Sequence, residues 1–175
     1  MGGGMHIAMH AFGKITLFFC AGAIMVASHK TEISEMDGLG RIMPLTYTAF
    51  LIGSLSVIGL PPLGGSWSKW YLMLSSVEAG YIVFMVIFMV SSLLNIAYLM
   101  PIIGRGFFAS PKPGQHSHED QIKTTDFWSG LSFGTVREAP PLCLLAMFLS
   151  SLGCIALFFY ADLIFRLLAP VAGLN

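Results

Sequence analysis

Three cations of this 175-residue chain, Lys14, Lys69 and Arg166, stand inside apolar stretches. At mid-bilayer depth a charge costs at least about 2.5–3.5 kcal/mol, so such residues face a protein interior or an aqueous path. Lys14 ends HIAMHAFGK (6–14), in which His6, His10 and Lys14 recur at four-residue spacing and share one helix face. That stripe supports three readings. The histidines merely meet water at a helix end. Alternatively HxxxH is a zinc pair, although no third ligand or activating glutamate lies nearby. In the third, the face relays protons, because histidine titrates near neutral pH and desolvation disfavours a lysine's charge. The residues alone leave all three open.

Lys69 closes a different pattern, GLPPLGGSWSKW (59–70). Pro61, Pro62, Gly64 and Gly65 interrupt a long hydrophobic run, and Trp67 and Trp70 flank the lysine. If the break ends one half-helix, Ser66 is the expected N-cap of the next, with Lys69 in its first turn. A helix N-terminus and burial both disfavour an ammonium, which suits a site that gives up and regains a proton. The bland alternative is a packing kink with a snorkelling lysine. Arg166 has a structural explanation in Asp162, one helical turn earlier.

These residues need helices in lipid to position them. Hydrophobic residues make up 55% of the chain and charged ones 10%, where soluble domains carry about 25% charged. Net charge is zero, which argues against nucleic acid. Cys20, Cys143 and Cys154 lie apart in apolar runs and read as small hydrophobes. The start MGGGM has no basic segment of a secretory signal. The expected fold is all-α, with about four transmembrane helices in a single transmembrane domain over 1–175. Segment A covers about Met5–Ala27, B about Met43–Glu78 with its break at Pro61–Gly65, C about Tyr81–Ile103, and D about Pro141–Leu168. Segment B would measure about 50 Å unbroken, too long for a bilayer of about 30 Å.

The polar connections 28–41 and 104–138 carry Lys30, Arg41, Arg105, Lys112, Lys123 and Arg137, six of the nine lysines and arginines. The positive-inside rule makes both connections cytoplasmic and both termini outward-facing. The pair in HSH (115–117) is a weak metal candidate, because two loop ligands bind little. No metal or cofactor is expected. P-loop, HExxH and GxGxxG fingerprints are missing from the sequence, so an enzyme reading has little support.

The order HAFGKITLFF, then DGLGRIMP, then LPPLGGSWSKWYL resembles the proton-conducting antiporter-like family. That family includes the large membrane subunits of respiratory complex I and the A-type and D-type components of Mrp multisubunit cation/proton antiporters. The likeness is densest over 6–72, and WSKWYL with REAPP (137–141) is most similar to the D-type Mrp components. The resemblance implies the last four helices of a fourteen-helix subunit, with segment B as its second broken helix. It also implies a proton pathway through His6, His10, Lys14 and Lys69, and partners among other integral membrane subunits, with protons and Na⁺ or K⁺ as the ions moved. The family's first repeat and its glutamate/lysine pair have no counterpart here. The chain is therefore expected to be a fragment or part of a split subunit, inactive in transport alone. Two other readings stand beside it: a portion of a redox-driven complex I or hydrogenase-type pump, and a non-conducting assembly scaffold.

Overall fold

A computed structural model of the chain describes residues 1–110, 132–133, 136–171 and 173. Among these residues α1 (Gly2–Ser28), α5 (Ile82–Phe108) and α6 (Pro141–Phe159) are long and apolar enough to cross a membrane. A 3₁₀ turn (Ile33–Glu35) and the short α2 (Leu39–Ile42) lead into α3 (Pro44–Ile58), which is apolar but shorter. α4 (Gly65–Glu78) continues from it after a break, and α7 (Ala161–Leu168) ends the described helices. Two short strands, β1 (Ser132–Phe133) and β2 (Val136–Arg137), pair antiparallel; the rest of the regular structure is helical, as expected.

α1 is the hub, packing against α3, α4, α6 and α7. Lipid offers no hydrophobic drive for helix association, so close approach of small residues has to supply it. Where α1 crosses α3, a β-carbon on Gly53 would stand 3.1 Å from a methyl of Thr16 and 3.3 Å from the Gly13 carbonyl oxygen. Cys20, Ala23, Ile24, Tyr47, Val57, Leu99, Ile103 and Met147 form the main core.

The break in segment B falls earlier than the sequence suggests. α3 stops at Ile58, and Gly59 (φ 91°) takes the left-handed C-terminal position, its N–H donating to Leu55 O at 2.9 Å. α4 then begins at Gly65, so the interruption spans 59–64. Gly65 lies directly against the Ser56 carbonyl oxygen, where no side chain fits. The Gly64 N–H donates to Cys154 O at 3.0 Å and anchors the break on α6. Segment D also differs: it divides at Tyr160 into α6 and α7. Its 28 residues would extend about 42 Å as one helix, longer than a bilayer core. Segment C runs on to Phe108, so Arg105 belongs to a helix and not to the following connection.

The two polar connections meet at one end of the bundle. Asp37 is buried and takes a forked contact from Arg105, with Nε–Oδ1 2.7 Å and Nη2–Oδ2 3.3 Å. Nearby, Gly38 N–H donates to Arg105 O and Arg41 Nε to Phe107 O at 2.9 Å. Glu138, 3% exposed, accepts from Leu45 N and Thr46 Oγ1, each at 2.7 Å. These belong to the first turn of α3, whose own N-cap position is Met43 and has no side-chain acceptor. A carboxylate from over ninety residues downstream therefore caps this helix and meets its positive end. At the opposite end, Gly2 abuts the α4 backbone at Tyr71–Leu72 and Gly4 abuts Leu168.

Two outcomes test this architecture. Gly65→Ala should destabilise the chain by about 1–3 kcal/mol or more through overpacking. Gly22→Ala, which meets nothing within 4 Å, should not. Thermal melts of the chain in its solubilised complex check both. Glu138→Ala should cost about 1–3 kcal/mol by leaving Thr46 and the α3 terminus without their acceptor, and Glu138→Gln less. Protease resistance of the chain in native membranes ranks the three.

Candidate functional site at the helix break

α3 ends inside the apolar region, and the last carbonyls of a helix have no partner of their own. Lys69, half-buried on α4, meets this end. Its Nζ donates to Ile58 O at 2.8 Å and to Ser92 Oγ of α5 at 2.9 Å. The aliphatic stem passes over Gly59, where a β-carbon would lie 2.7 Å from Lys69 Cδ. The glycine thus serves both the left-handed turn and the lysine's passage.

Lys69 is partly buried as expected, while the helix-dipole part of the expected electrostatics is reversed. Ser66 is not the N-cap of α4: it lies inside the helix, and its Oγ donates to Leu63 O at 2.7 Å. Gly64 occupies the cap position with no side-chain acceptor. Lys69 falls in the second turn of α4, and its ammonium reaches back to the carbonyl end of α3, which attracts a cation. Proline and glycine spacing could locate the break but not which half-helix the long side chain would reach. Ser92 was missed in the sequence; the pair Ser91–Ser92 within an otherwise apolar run was the available signal.

The α1 face reaches α4 at one point. His6 Nδ1 lies 3.0 Å from Ser68 Oγ, and Ser68 Oγ donates to Gly65 O at 3.1 Å. The serine hydroxyl can donate to that carbonyl while accepting from His6 Nδ1–H, or donate to His6 in the other tautomer. His6 and His10 stack with ring centroids 5.0 Å apart and planes at 27°. The chain of contacts is therefore His10, His6, Ser68, with Lys69 the next residue along α4. Lys14 continues the stripe one turn beyond His10 and interacts with it electrostatically; it is exposed on α1 and makes no hydrogen bond or ion pair among the described residues.

Hydroxyls line the interior beside the break. Ser54 of α3 and Ser151 of α6 are buried with no hydrogen-bond partner among the described residues, and the buried Ser56 lies beside the Cys154 thiol. Thr16 Oγ1 donates to Phe12 O at 2.8 Å and lies 3.8 Å from Cys154 Sγ. An unpartnered buried hydroxyl costs about 1–3 kcal/mol, so a set of them next to an opened helix marks a polar interior. Arg166 pairs with Asp162 at 2.8 Å, both exposed, as the i, i+4 spacing implied. Among the described residues no three of His, Cys, Asp and Glu gather as a metal site. The HSH histidines at 115–117 lie outside the described residues.

Comparison with known proteins bears on the same residues. Residues 1–95 match the family described as NADH:quinone oxidoreductase/Mrp antiporter, transmembrane. The chain is 41% identical over 111 residues to NADH-quinone oxidoreductase subunit N of Desulforudis audaxviator, covering 63% of this chain and 22% of that one. It is 39% identical over 119 residues to NADH-quinone oxidoreductase subunit L of Rickettsia conorii, covering 65% and 18%. Identity to NADH-ubiquinone oxidoreductase chain 5 of Sus scrofa is 38% over 111 residues, covering 62% and 18%. The chain thus spans about a fifth of the length of these relatives. With the match extending over more than half of its residues and taking in the broken helix, the chain belongs to the NADH:quinone oxidoreductase/Mrp antiporter transmembrane family.

Proposed function

We propose that this chain forms part of a transmembrane proton pathway in an antiporter-like component of a multisubunit membrane complex. The observation that carries this reading is the Lys69 ammonium bridging the open end of α3 to Ser92, beside the residue that His6 contacts. Protons would hop between His10, His6 and Lys69 through hydroxyls and water, with no covalent chemistry. Ser54 and Ser151 supply polar atoms that a water file beside the break would satisfy. Lys14, on the outer face of α1, would hand protons to or from a further membrane segment packed there, since lipid does not tolerate a bare ammonium. Other integral membrane subunits are the implied partners.

The relatives named above are subunits of NADH-quinone oxidoreductases, which favours a redox-driven complex. A second reading, the D-type component of an Mrp monovalent cation/proton antiporter, is favoured by WSKWYL and by REAPP, whose glutamate caps α3. Proton movement in vesicles of the purified complex separates them: quinone reduction drives it in the first case, a Na⁺ or K⁺ gradient in the second. In either case the connections 28–41 and 104–138 would face the cytoplasm of an inner-membrane protein. Their meeting at one end of the bundle supports a common side.

Substitution tests the pathway against a scaffold role. Lys69→Ala should reduce proton translocation at least about tenfold (~1.4 kcal/mol) while the complex assembles normally. Ser92→Ala removes only one of the ammonium's two hydrogen bonds and should give a smaller loss. Full translocation by assembled Lys69→Ala complex would sink the proposal. Failed assembly of both variants would favour the scaffold.

A further inference from the structure

Ser68 lies in the first turn of α4 and is fully buried. Its Oγ is 3.1 Å from Gly65 O and 3.0 Å from His6 Nδ1 of α1. A helical serine commonly bonds a carbonyl of the preceding turn, and that contact alone would be local. It does not account for a histidine brought from 62 positions earlier in the chain. The carbonyl also leads to the lysine. Gly65 O lies 3.5 Å from the point where a β-carbon of Gly59 would stand, and Lys69 Cδ is 2.7 Å from that same point. Lys69 and His10 both act electrostatically on His6. Among the described residues, Ser68 is where a hydroxyl meets both the histidine stripe and the backbone at the start of α4.

We propose that Ser68 relays protons between the break and His6, which rests on the pathway reading above and names the atom through which it passes. A hydroxyl donates one hydrogen and accepts through its lone pairs, so it can hand a proton on without net change. With His6 neutral and its hydrogen on Nε2, Ser68 Oγ–H donates to Nδ1. A proton from water at the break, or from the Lys69 ammonium through that water, bonds to Oγ while the original hydrogen passes to Nδ1. One O–H bond breaks and another forms, so the serine stays neutral and His6 becomes an imidazolium. Its Nδ1–H then donates to Oγ, and the new serine hydrogen donates to Gly65 O; the two distances allow both bonds at once. The imidazolium releases its Nε2 hydrogen towards His10, whose ring stacks on it at 5.0 Å. Transfer in the opposite direction is the reverse of these steps.

The test is proton translocation by the intact complex in vesicles carrying Ser68→Ala, Ser68→Thr or Ser68→Val, beside Lys69→Ala. Threonine and valine have the same shape, so they share any packing cost at this buried position and their difference reads the hydroxyl. Ser68→Ala and Ser68→Val should lose about fivefold or more, the factor carried by one hydrogen bond of ordinary strength. Ser68→Thr should run several times faster than Ser68→Val. In ¹⁵N spectra of the complex with labelled histidine, Ser68→Ala should move the His6 Nδ1 resonance and leave that of His10 in place. Equal rates for the threonine and valine variants, or an unmoved His6 resonance, would overturn the relay while a loss in Lys69→Ala keeps the pathway. Full translocation by Lys69→Ala would remove the pathway and the relay together.

Discussion

A helix that stops within an apolar region leaves carbonyl oxygens facing surroundings that do not solvate them, and the arrangement around Lys69 follows from that constraint. The ammonium is placed by the broken helix, and its second contact, Ser92, ties α5 to the same point. The glycines are consequences of the same geometry. Gly59 turns the chain and makes way for the lysine stem, while Gly65 brings α4 against the Ser56 carbonyl. Removing the break would remove the acceptor; removing the lysine would leave a helix end uncapped in an apolar setting.

The other end of α3 is completed in a complementary way. Its N-terminus receives the Glu138 carboxylate and its C-terminus the Lys69 ammonium, so each pole of the helix meets the charge it favours. Both partners lie outside α3, one just before α6 and one on α4. The helix is therefore held electrostatically between two neighbours. The Asp37–Arg105 pair fixes the preceding turn to the end of α5, so the frame around α3 is anchored by three charged contacts and close small-residue packing.

Much of this was legible in the residues. Apolar run lengths gave the spans, and PP followed by GG located an interruption to within a few residues. The four-residue repeat placed His6, His10 and Lys14 on one face. What sequence did not disclose were contacts across large separations: Lys69 with Ile58 and Ser92, Leu45 and Thr46 with Glu138, Arg105 with Asp37. The helix end that Lys69 meets is not legible, because local order puts it near the start of α4, while a long side chain can fold back over glycine to the preceding helix. Tyr160 gives no sign of a break, because an apolar run with one i, i+4 ion pair suits a continuing helix as well as an amphipathic one. Along the stripe exposure increases, from His6 joined to α4 to the exposed Lys14.

The most direct measurement is the Nζ-to-carbonyl dipolar coupling between ¹⁵N-labelled Lys69 and ¹³C-labelled Ile58, by solid-state NMR of the intact complex in lipid. A small but resolvable coupling is the expected result, because the labelled carbon stands one carbonyl bond behind an oxygen 2.8 Å from Nζ. Its absence, with the lysine turned away from α3, would contradict the account at its centre.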